Sequence, residues 1–139
     1  MALKLRLTKE KIKIDYREDN EDDQSPVLAT FYVEPLTSTE LNDLFTKHQK
    51  VEWLAPNKKT KKELHKEPDY NRVFKERFCR EIVDWEGIED AKTGKPIKCT
   101  RQNILAVWDM NPTLINWIME QVDEIKEIQQ TAKEEAAKN

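Results

Sequence analysis

The sequence predicts an α+β fold: a small N-terminal antiparallel β element plus a β-hairpin, packed with about four α-helices, the last one long. Three observations predict it. Apolar residues alternate with period two near the N-terminus and are dense from Val27 to Val33, as in half-buried strands. Helix-start chemistry occurs at Thr37, Thr100 and Asn111-Pro112. From about Pro68 onward, apolar residues recur at helical spacing over two long windows. A chain of 139 residues is of single-domain length. The expected organisation is one α+β domain over residues 1–128 and a polar helical tail over 129–139 that frays into solvent.

Taken in order, Leu3 to Leu7 and Lys11 to Ile14 alternate apolar and charged residues and read as a strand with one buried face. Asp15 to Asp23 holds six acids and one base, so it self-repels and reads as a mobile loop closed by Ser25-Pro26. Val27 to Val33 is the second strand, antiparallel to the first. Thr37-Ser-Thr-Glu40 fits a capping box, and Leu41, Leu44, Phe45 and His48 follow on one helical face.

Val51 to Ala55 reads as an irregular extended piece. Residues 57–62 hold four lysines and read as an exposed loop. A second helix is expected from about Pro68 to Val83, with Tyr70, Val73, Phe74, Phe78 and Ile82 buried and Arg72, Lys75, Glu76 and Glu81 outside. Trp85 to Gly87 ends it. Ile88 to Asp90 and Pro96 to Cys99 flank Gly94 and suggest an irregular hairpin. Thr100 caps a helix carrying Ile104, Leu105, Val107 and Trp108. Asn111-Pro112 opens the last helix, with Leu114, Ile115, Ile118, Val122 and Ile125 on one face.

Composition and motif spacing exclude most chemistry. Charged and hydrophobic residues each make up 37% of the chain, and the formal charge is −3. No apolar run approaches the ~18 residues of a membrane span, and Lys4, Arg6, Lys9, Lys11 and Lys13 interrupt any signal-peptide core. A soluble intracellular protein is expected. His48, His65, Cys79 and Cys99 lie 14 or more residues apart, which is wrong for paired zinc ligands. The acidic block lacks the glycine of a calcium loop. Gly94-Lys95 is followed by Pro96, not by the hydroxyl a phosphate-binding loop needs. No nucleophile–base constellation can be assembled. The chain is therefore expected to be no enzyme, and to use no cofactor or metal.

What remains is interaction. The basic run lacks aromatic interleaving and the chain is acidic overall, which argues against nucleic acid. Trp117 and Met119 lie off the main stripe of the last helix, and both residue types favour interfaces. They are candidate partner contacts, with Val122, Ile125 and Ile128 on the same helix.

The run from Phe74 to Asp90, with its Trp85-Glu86-Gly87, is followed by Gly94-Lys95-Pro96-Ile97, a Thr100-capped helix, an Asn111-Pro112 break and a final helix. In that order these pieces resemble tail assembly chaperones of long-tailed bacteriophages. The strand–Val33-to-Glu40–helix segment is similar too, so the likeness covers most of residues 27–125. The resemblance implies a protein of the bacterial host cytoplasm that binds the long, helical tape-measure protein while the tail tube polymerises. It would self-associate and be absent from the mature virion. It implies a structural role for Trp85, Gly87, Gly94 and Pro96, which set the hairpin joining two helices, and supplies no catalytic residue. The acidic block at 15–23 and the lysine run at 57–62 depart from the pattern. The alternatives are a small nucleic-acid-binding phage regulator and a minor tail structural protein such as a terminator or connector.

Overall fold

A computed structural model describes residues 2–5, 7–54 and 63–138, with side chains over that span except at 52–54, 63–65 and 126–138. The chain is α+β. Among the described residues it forms β1 (Ile12–Arg17), β2 (Val27–Val33), α1 (Ser38–Lys47), β3 (Gln49–Leu54), β4 (Glu63–Pro68), α2 (Tyr70–Glu81), β5 (Ile82–Glu86), α3 (Arg101–Met110) and α4 (Pro112–Lys138). The contacts divide into two compact units, one of residues 1–35 with 79–139, the other of residues 36–78.

The first unit holds a three-stranded antiparallel sheet in the order β1-β2-β5. Its register sets Ile14 opposite Phe31 and Phe31 opposite Trp85. All three are buried, which defines the inner face, and Val33 continues it at 0% exposure. The helices of this unit contribute Ile104, Ile115, Ile118 and Val122 to the buried set. Each fully buried side chain of this size is worth about 1.5–3 kcal/mol. The opposite face of the sheet is polar, and there the Thr30 hydroxyl donates to Asp15 Oδ1 at 2.8 Å.

Two expectations at the N-terminal end are corrected. The described residues before Ile12 form no strand; Leu3, Leu5 and Leu7 stand exposed, and β1 begins only at Ile12. Nor is the acidic block structureless. Asp15 to Arg17 belong to β1, and the remainder folds around Ser25. Ser25 Oγ accepts the Asp19 N–H, Asn20 Oδ1 accepts the Arg17 N–H, and Asp19 and Asp22 accept from Glu21 and Gln24. Arg17 Nη1 donates to the Ser25 carbonyl at 2.7 Å. Short acidic side chains here satisfy turn donors as well as repelling one another.

In the second unit Thr37 caps α1. Its hydroxyl accepts the Glu40 N–H, and the Glu40 carboxylate accepts the Thr37 N–H, as the capping box predicts. Leu36, Leu44 and Val73 form the core, with Leu41 and Phe45 packed on it. β3 and β4 pair antiparallel, Gln49 opposite Pro68 and Leu54 opposite Glu63. The extended piece is thus a regular strand whose polar partner, β4, carried no apolar alternation to reveal it. The lysine run at 57–62 lies outside the described residues.

The helix expected to reach Val83 ends at Glu81, and the chain continues directly as β5. Ile82 serves both elements, since it fits the helical stripe and also pairs with Val33. Thr100 caps α3 by accepting the Asn103 N–H, and Pro112 opens the 27-residue α4. α4 runs to Lys138 and so includes residues 129–138 of the polar tail.

Candidate functional site

The face of α4 was the expected contact surface, and the structure sorts its residues. Ile115, Ile118 and Val122 are core, with Val122 only 1% exposed. Val122 therefore offers almost nothing to a partner. Trp117 is half-buried and meets Tyr16 of β1 edge to face, ring centroids 5.0 Å apart. Met119 and Ile125 are half-buried, and Glu120, Asp123 and Glu124 stand exposed around them. The side chain of Ile128 lies outside the described residues.

The second unit presents a surface that sequence reasoning missed. Tyr70 and Phe74, one turn apart on α2, stack with centroids 6.2 Å apart and planes at 28°. Phe45 of α1 meets Tyr70 edge to face at 6.1 Å. Tyr70 is 54% exposed and Phe74 39%. Both were expected inside. The inward face of α2 is instead centred on Val73, Arg77 and Phe78, and Glu81, expected outside, is 1% exposed. Tyr70 and Phe74 fall at the margin of a stripe wider than the core beneath it. Helical periodicity gave no signal of this, because it reports the apolar face and not how much of it is covered.

Beside the ladder, His48 at the end of α1 bonds through its ring nitrogen to the Glu76 carboxylate of α2. Lys47 Nζ lies 3.2 Å from the other Glu76 oxygen. These contacts tie α1 to α2. They converge on no described nucleophile or cleft, and among the described residues no group of three or more His, Cys, Asp or Glu could hold a metal ion.

The segment after β5 is shaped by the four residues singled out above. The Trp85 indole donates to the Ile97 carbonyl at 2.7 Å. Gly87 adopts φ +79°, and a Cβ there would lie 2.6 Å from the Leu28 carbonyl oxygen. Gly94 adopts φ +67° in open space. Pro96 bridges to Glu89, and the Ile97 N–H donates to the Ile88 carbonyl at 2.8 Å. The turn is closed by Asp90, whose carboxylate accepts the Thr93 and Lys92 N–H groups; these donors hold it below the ordinary carboxylate range. This segment joins a strand to a helix, not two helices. Cys99 follows it, and burial together with the Asp84 carboxylate pushes its thiol up to about 11. Cys79 is buried on α2. The raised Cys99 thiol is thus the opposite of an activated nucleophile.

No described helix is long and apolar enough to cross a membrane. Residues 40–139 match the model of a family described as YdaY prophage protein. No curated protein and no solved structure matches the chain.

Proposed function

The chain belongs to the YdaY prophage protein family, and from that premise we propose that it is a tail assembly chaperone, a holdase that covers the helical tape-measure protein until the tail tube encloses it. The single observation that carries this reading is the Phe45–Tyr70–Phe74 ladder, in which the stacked Tyr70 and Phe74 stand exposed and the half-buried Phe45 backs Tyr70 edge to face, on a small, highly charged chain. Isolated exposed apolar residues are ordinary; a contiguous aromatic patch marks an interaction surface. The resemblance of residues 74–118 to phage tail assembly chaperones supports the same reading.

Mechanistically, a tape-measure segment is an amphipathic helix whose apolar face aggregates when unpartnered. The ladder offers flat, rigid rings with few rotatable bonds, which bind an apolar helix at small entropic cost. Met119 and Ile125 on α4 add a second, adaptable contact of smaller area. Burial yields about 25 cal/mol per Å² of apolar surface, and lost freedom offsets most of that for a patch of a few side chains. Single contacts are therefore weak and reversible. Many copies along one long client give the avidity a holdase needs and still release it as the tube advances. The protein acts in the host cytoplasm and leaves before the virion matures.

Co-expression with the tape-measure protein of the same prophage tests the assignment. The chain keeps that protein in the soluble fraction and co-purifies with it. A tape-measure protein that precipitates equally with and without the chain refutes the role. Finding the chain in purified virions would instead identify a tail component.

A further inference from the structure

We propose that residues 3–7 of a second copy of this chain add as a fourth strand to the free edge of β1, reciprocally, in a strand-exchanged dimer. The inference is independent of the chaperone reading. The sheet order β1-β2-β5 leaves the outer side of β1 unpaired among the described residues. An open strand edge presents unpaired N–H and C=O groups and is a template for another chain. In the same molecule Leu3, Leu5 and Leu7 are 56%, 54% and 92% exposed. They alternate with Lys4 and Arg6 in the sequence pattern of a half-buried strand.

Pattern and edge match in register. On β1, Ile12, Ile14 and Tyr16 point toward the inner face, and Lys13, Asp15 and Arg17 toward the polar one. An antiparallel strand with Leu5 opposite Ile14 sets Leu3 opposite Tyr16 and Leu7 opposite Ile12. The three leucines then extend the buried face past the Tyr16–Trp117 contact. On the polar face Lys4 falls opposite Asp15, and Arg6 opposite Lys13 is the one like-charged pair. A shift by one residue would turn every leucine to the polar face, so the pattern specifies this alignment or one displaced by two.

The occupant is a second copy because the chain between the two segments is poorly made for a return. Thr8-Lys9-Glu10-Lys11 contains no Gly, Asn, Asp or Pro, the residues that build tight turns. In the single chain the described residues before Ile12 form no strand. Exchange keeps this connection open as a hinge and closes the assembly under two-fold symmetry, a low-cost route to a dimer.

The test uses the full chain. Light scattering across a concentration series is expected to show a monomer–dimer equilibrium. Leu5→Lys changes an exposed residue, so the monomer stays folded by circular dichroism, and dimerisation weakens by about tenfold or more. A doubly substituted chain, Arg6→Cys with Lys13→Cys in a Cys99→Ser background, is expected to give disulfide-linked dimers on oxidation. A monomer at all concentrations, a dimer indifferent to Leu5→Lys, or a disulfide closing within one chain overturns the proposal.

Discussion

Tyr16 of β1 and Trp117 of α4 meet edge to face, with ring centroids 5.0 Å apart and planes at 84°. The contact joins the sheet's inner face to the final helix, so Trp117 has an internal task whatever its role toward a partner. Such pairs add about 0.5–1.5 kcal/mol beyond their buried area. Trp117→Ala is expected to cost about 3 kcal/mol in urea unfolding, because half-burial moderates the loss seen for a core tryptophan. A double-mutant cycle with Tyr16→Ala should return a coupling within the aromatic-pair range. Coupling near zero would show that the rings are neighbours without mutual stabilisation.

Gly87 and Gly94 both need a left-handed backbone, yet their substitutions differ in consequence. At Gly87 a Cβ meets the Leu28 carbonyl oxygen at 2.6 Å and Ala29 Cα at 3.2 Å, both main chain of β2. Those atoms cannot yield without moving the strand. Gly87→Ala should therefore cost about 3 kcal/mol or more, combining left-handed strain with overpacking. Gly94→Ala has open space and should cost only the conformational penalty of about 1 kcal/mol. Equal thermal shifts for the two variants would contradict this distinction.

Trp85 fills the core and also holds the following turn through its 2.7 Å bond to the Ile97 carbonyl. Trp85→Phe keeps most of the apolar volume and removes the donor. The carbonyl left behind costs about 1–3 kcal/mol if no water replaces the indole. Amide exchange over residues 88–97 should accelerate in this variant more than exchange in β1. Unchanged exchange there would mean that the turn is held by its own backbone bonds alone.

Cys99 gives a pH dependence with a defined sign. Burial, with the Asp84 carboxylate second, raises its thiol from 9.0 to about 11. The thiolate is the reactive form, so alkylation of Cys99 by iodoacetamide at pH 8 should be slower than that of an unfolded peptide containing it. The folded state holds this proton more tightly than the unfolded chain does. Its contribution to stability is therefore complete below pH 9 and is lost as pH rises toward 11. Cys99→Ser should flatten the alkaline limb of the stability profile. A limb unchanged by that substitution would assign it to other groups.

The parts of this fold that were legible in the sequence are those where one residue type has one use. Thr37 with Glu40, Thr100 and Pro112 marked helix starts because hydroxyl caps and first-turn proline satisfy or avoid orphan donors. β2 was legible from its β-branched and aromatic density. The less legible parts are positions where tertiary pairing overrode local pattern. β4 is a polar segment made into a strand by its neighbour β3. β5 begins at Ile82, which also fits the α2 stripe, so nothing local separates helix from strand there. Tyr70 and Phe74 read as core because periodicity reports a face and not how much of it the partner element covers. The candidate surface was thus hidden by its own apolarity, and the expected one on α4 included Val122, which the core absorbs.

The most direct measurement of the central claim is calorimetric titration of the full chain against an amphipathic helical segment of the tape-measure protein, at several temperatures and two salt concentrations. Tyr70 and Phe74 are each more than a third exposed, so Tyr70→Ser with Phe74→Ser should lower the thermal midpoint yet leave the chain folded by circular dichroism at the titration temperatures. The account predicts binding by the native chain with a negative heat-capacity change, little salt dependence, and a loss of about tenfold or more in the double variant. Absence of binding at every temperature, or binding that the double variant retains in full, would contradict it.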